Sequence, residues 1–138
     1  MYFAKKISYI PKPFYFYTQE NENSYTKTKM NPAKQANNIL LIQQMDEFRK
    51  QHSPMSEDLT KAFLYKKAGT YAAIALYGNY NELKSNNQLF KETSIKLIKG
   101  HPFIGKPVKL AGILYKSHCI ILLKCLRLAQ KLKHLCNA

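Results

Sequence analysis

Between Val108 and Leu135 apolar and basic residues recur at helical spacing, and this stretch limits the possible fold more than any other. On a helical projection Lys109, Lys116, Lys124, Arg127, Lys131 and His134 share one stripe. Leu110, Ile113, Leu114, Ile121, Leu128, Leu132 and Leu135 fill the remaining face, and only Lys133 strays far from the basic side. The pattern predicts one long, basic, amphipathic last helix. Its most apolar part, Leu110 to Leu123, is interrupted by Lys116 and His118, so a simple membrane-spanning helix is not expected.

Such a helix has three uses. It lies on an anionic membrane surface with lysine stems extended and leucines in the acyl boundary, it packs on a protein core, or it contacts phosphates. The charge balance helps to choose. The chain of 138 residues has 22 Lys and Arg against 8 Asp and Glu, and after Glu92 there is no acid at all while nine Lys and Arg follow. That asymmetry favours a negatively charged partner: nucleic acid, anionic lipid or an acidic neighbouring domain. A solvated basic face without a partner is the plainer alternative. The leucine-rich run favours the lipid surface.

Upstream, the helical pattern begins at Asn31-Pro32, an N-cap followed by proline at the first helical position. Ile39, Ile42, Met45 and Phe48 continue it as an apolar stripe toward His52. Ser56-Glu57-Asp58 starts a second helix running toward Gly78, with Gly69 and Thr70 as candidate breaks. Asn79 to Asn87 reads as a turn and roughly Asn87 to Lys99 as a third helix. Gly100-His101-Pro102 and Gly105-Lys106-Pro107 then mark a definite break.

The first 30 residues differ in character. Lys5 to Ile10 and Phe14 to Thr18 are rich in Ile, Tyr and Phe and are separated by Pro11-Lys12-Pro13, which predicts a short β-hairpin before a polar loop. Two strands alone are marginal in water and call for a larger sheet. The expected fold is therefore mainly α with a short N-terminal β-hairpin, an α+β remnant: residues 1–30 form the strand-turn-strand and loop, residues 31–138 the helical region.

Independent catalysis has little to work with. His52, His101, His118 and His134 lack Cys or acidic companions at metal-ligand spacing, and His118 is expected on the apolar side of its helix. Asp46-Glu47 and Glu57-Asp58 are adjacent pairs, which point apart on a helix. No glycine-rich phosphate loop and no Gly-x-Ser-x-Gly is present. Cys119 and Cys125 fall on different helix faces and, with Cys136, are expected as small core or lipid-facing residues under reducing conditions. Tyr9, Tyr15, Tyr17 and Tyr25 beside lysines suit base stacking. Packing on one sheet face is the simpler account, and with few arginines and no recognition motif a nucleic-acid partner is disfavoured.

The run Lys6-Ile7-Ser8-Tyr9-Ile10-Pro11-Lys12-Pro13-Phe14-Tyr15-Phe16-Tyr17, followed by Asn23-Ser24, resembles a stretch of bacterial family 2 glycosyltransferases, the strand, proline turn and Tyr-x-Tyr strand that follow their catalytic-base motif. The resemblance covers about the first 30 residues. It implies a GT-A nucleotide-sugar domain with an Asp-x-Asp site, a divalent metal and a nucleotide-sugar donor, transferring sugar to a glycan or lipid-linked acceptor. This sequence has no Asp-x-Asp, so those elements and cofactors would lie before Met1, a secondary or truncated start, and the chain would be inactive alone. Tyr15, Tyr17, Gln19 and Ser24 carry over as acceptor-side candidates. Thr18 stands where relatives often place arginine, so that contact does not. Lys109, Lys116, Lys124, Arg127 and Lys131 are the membrane-surface candidates. The implied partners are an anionic membrane and a missing catalytic domain or another subunit, and the implied location is the inner, cytoplasmic face of the cell membrane. The alternative is a small standalone basic helical protein binding anionic membrane or nucleic acid.

Overall fold

The computed structural model describes residues 30–136, with side chains through Leu132. The expected hairpin, and with it Tyr15, Tyr17, Gln19 and Ser24, lies outside the described residues. Within them the protein is mainly α, and no strand occurs among the described residues.

Helix α1 spans Pro32–Gln51. The Asn31 side chain accepts a hydrogen bond from the Lys34 amide at 2.7 Å, satisfying one of the donors that a helix start leaves free. Helix α2, Glu57–Tyr77, starts under Ser56, whose hydroxyl accepts from the Leu59 amide, with Glu57 and Asp58 in its first turn. It runs to Gly78 as the pattern predicts and passes through the candidate breaks Gly69 and Thr70 unbroken. Two short helices follow, α3 over Asn81–Ser85 and α4 over Ile95–Gly100. The predicted helix from Asn87 to Lys99 is thus half turn and half helix, restarted where the Ser94 side chain accepts from the Leu97 amide. Helix α5 is Lys106–Lys116 and helix α6 is Ile120–Cys136.

The long last helix of the sequence pattern is therefore two helices. The Cys119 amide donates to the Leu114 carbonyl and the His118 amide to the Tyr115 carbonyl, while His118 adopts φ 59°. This is a Schellman ending with His118 in the left-handed position that glycine usually takes. His118 is exposed at this turn, not set on an apolar helix face.

Helix α2 packs against each of the other five helices and supplies most of the core. Ile42 of α1, Ala68, Ala72, Ile74 and Ala75 of α2, Phe90, Ile98, Ala111 and Leu123 are all but fully buried. The α2–α5 crossing is close because it is built from small residues. A β-carbon on Gly112 would lie 2.7 Å from the Ala72 β-carbon. Tyr71 stacks obliquely on Phe90 and Tyr115 at 5.6 and 5.7 Å, and Tyr115 meets Tyr80 at 5.7 Å while its hydroxyl donates to the Tyr80 carbonyl. Burial, with Tyr115 adding to it, pushes the Tyr71 phenol well above its ordinary pKa.

Candidate functional site

The break at His118 divides the basic stripe. Three of its five candidates are used inside the fold. The Lys109 ammonium donates to the Lys99 carbonyl at the end of α4, Lys116 lies 5.6 Å above the Tyr71 ring, and Arg127 donates to the Gly78 carbonyl past the end of α2 while covering Tyr80 at 5.2 Å. Cations at helix C-termini meet the negative end of the helix dipole, so these positions have a structural reason for their charge. Lys124 and Lys131 remain exposed on α6.

Helix α6 docks by a narrow edge. Leu123 is fully buried, with Leu126, Arg127 and Gln130 half-buried beside it. Its apolar stripe faces the other way: Ile121 is 79% exposed, Leu128 60% and Leu132 62%, and the exposed Cys125 completes the row. These residues are spaced by four, three and four positions and so share one helix face. Lys124 and Lys131 run along one flank of that face. Cys119 and Cys125 are free and exposed, so of the two expected places the core is excluded for them.

A second apolar surface was not legible in the sequence pattern. The loop between α4 and α5 carries Phe103, 91% exposed, beside a cleft of about 440 Å³ lined by Asp58, Lys61, Ala62, Tyr65, Lys66 and His101. Buried His101 holds this loop. Its Nδ1 accepts from the Phe103 amide at 3.1 Å, which leaves the other ring nitrogen to donate to the Tyr65 backbone. Burial, reinforced by the Lys109 charge, keeps His101 below its ordinary pKa against that hydrogen bond. Gly69 makes room for the ring. A smaller cleft of about 210 Å³ between the start of α1 and the end of α2 is lined by Asn31, Gln35, Ile39, Tyr77, Asn79 and Glu82. There Gln35 both donates to the Asn79 carbonyl and accepts from the Asn79 amide, as a strand neighbour would.

Two of the acids, Asp46 and Glu92, are engaged structurally. Buried Lys67 donates to Asp46 at 2.7 Å and to Glu92 at 2.9 Å, and Arg49 contacts both Glu92 oxygens at 2.8 Å. Burial disfavours charge on Glu92, but the hydrogen bonds and charges of Arg49 and Lys67 outweigh it and hold the carboxyl below its usual range. Glu47, Glu57 and Asp58 point to solvent. Among the described residues no three His, Cys, Asp or Glu side chains gather as a metal site requires, and no helix is long and apolar enough to cross a membrane. Comparison with protein-family models, curated proteins and solved structures gives no match for this chain.

Proposed function

We propose that this chain is a non-catalytic helical module that lies peripherally on an anionic membrane surface through α6. In the fuller form of the proposal it is the C-terminal portion of a family 2 glycosyltransferase, inactive in sugar transfer by itself and held at the inner face of the cell membrane. One observation carries the membrane reading: the outward row Ile121, Cys125, Leu128 and Leu132, with Lys124 and Lys131 on its flank. An apolar helix face turned from its own core needs a second medium, and lysines beside it suit phosphate headgroups. The sequence after Glu92 contains no acid to oppose that attraction. The glycosyltransferase part rests on the resemblance of the first 30 residues alone.

Co-sedimentation with vesicles of phosphatidylcholine, with and without phosphatidylglycerol, tests the membrane part. Binding is expected only with the anionic lipid and should weaken at high salt. The triple substitution I121S/L128S/L132S should weaken it at least tenfold, since each leucine-sized side chain buried is worth roughly 1.5–3 kcal/mol. Equal binding to neutral vesicles, or stronger binding to duplex or single-stranded DNA at the same salt, overturns it. The family part is tested in the DNA: an upstream frame without Asp-x-Asp and strand-rich sequence removes it.

A further inference from the structure

We infer that the Pro102-Phe103-Ile104 loop is a second, preformed lipid contact, in which the Phe103 ring enters the headgroup–acyl boundary of an anionic bilayer. The inference deepens the membrane reading and rests on it. Phe103 is the most exposed large apolar side chain of the described residues, at 91%. A ring that large stays in water at a considerable cost unless something covers it. Its backbone is fixed nonetheless, because the Phe103 amide is held by His101 and His101 is itself buried against Tyr65 and Gly69. Little conformational entropy is then lost when the ring is covered.

The surroundings name the occupant. Lys61 and Lys66 line the adjoining cleft, and Lys99 and Lys106, both exposed, flank the loop in sequence. Among the described residues Asp58 is the single acid lining the cleft. An apolar tip beside a lysine-lined cleft matches a layer of phosphates over hydrocarbon. A nucleic acid fits less well. Both polar atoms of His101 are already engaged, Ala62 and Pro102 bring no side-chain donor to read a base edge, and no arginine lines the cleft to hold a stacked base.

The chain contains no tryptophan, so F103W and L128W each give a single fluorescent reporter, both at exposed positions. With mixed phosphatidylcholine and phosphatidylglycerol vesicles both emissions should shift to the blue and be quenched by lipids brominated on their chains. F103S should weaken vesicle binding by roughly tenfold, the value of one buried phenylalanine. A shift at position 128 with none at 103 overturns the loop contact and leaves the α6 reading standing. No shift at either position removes both. An F103W response to a single-stranded oligonucleotide but not to vesicles overturns the lipid assignment in favour of base stacking.

Discussion

The imidazole Nε2 of His101 lies 2.8 Å from the point where a β-carbon on Gly69 would stand. This one approach explains why a glycine is placed in the middle of α2 and why the α4–α5 loop has a fixed course. Replacing Gly69 by alanine should gain about 1 kcal/mol of helix propensity. The clash with a ring held from both sides should cost more, about 1–3 kcal/mol. Urea denaturation of G69A is therefore expected to show a net loss, and G69A in an H101A background a net gain. A stabilised G69A single variant would mean that the ring yields freely.

Lys67 ties three parts of the chain together: Asp46 on α1, its own helix α2, and Glu92 in the turn before α4. Substituting methionine keeps the buried stem but removes the charge, leaving Asp46 and Glu92 with only Arg49 to share. Breaking a fully buried pair costs about 3–5 kcal/mol. Because Glu92 keeps 42% of its side chain exposed, K67M should cost less, about 2 kcal/mol. Adding D46N should recover part of that loss. If K67M unfolds at the parent's urea midpoint, the network contributes nothing to stability.

Thr93 is 1% exposed, and its hydroxyl has no hydrogen-bond partner among the described residues. A buried unpaired hydroxyl is unfavourable, and valine has nearly the same shape. T93V should raise stability by about 1 kcal/mol, seen as a higher melting temperature. A destabilised T93V would reveal that the hydroxyl is paired in solution.

The turn between α5 and α6 marks the limit of what the residue pattern discloses. The starts of α1 and α2 were legible, because Asn31-Pro32, Ser56 and the acids after it carry their capping chemistry in their identities. Ile39 and Ile42 were legible as core because spacing alone aligns them. The break at Ser117–Cys119 has neither glycine nor proline, so apolar periodicity runs across it unmarked. Reading through it merged two helices into one stripe. Phe103 was missed for another reason. Nothing local distinguishes an exposed phenylalanine from a core one, since its exposure depends on a hydrogen bond to His101 and a gap at Gly69. The resemblance at Tyr15 and Tyr17 concerns residues outside the described ones.

His118 offers the simplest check of that turn. A residue with a β-carbon at φ 59° is held in a region glycine enters without steric penalty. H118G should stabilise the chain by roughly 0.5–1 kcal/mol while leaving its helix content by circular dichroism unchanged. If α5 and α6 instead formed one continuous helix, glycine there would destabilise by about the same amount.

Acid should weaken the fold in two separable steps. His101 has a folded pKa below its ordinary 6.5, so near neutrality the folded and unfolded chains are both unprotonated there and the full stability is present. As pH falls below 6.5 the unfolded state takes up the proton first, and stability declines until the lowered folded value is reached. Protonation also removes the lone pair that accepts from the Phe103 amide, so loop order is lost with it. Glu92, lowered from 4.5, adds a second decline that begins near pH 4.5 and continues through its lowered folded value. That second step is small, because solvent screens a carboxylate this exposed. Urea midpoints measured from pH 8 down to about pH 2.5 should show the upper step in the parent and not in H101Q, with the lower step removed by E92Q. An upper step that persists in H101Q would assign it to another histidine and release His101 from its role in holding the loop.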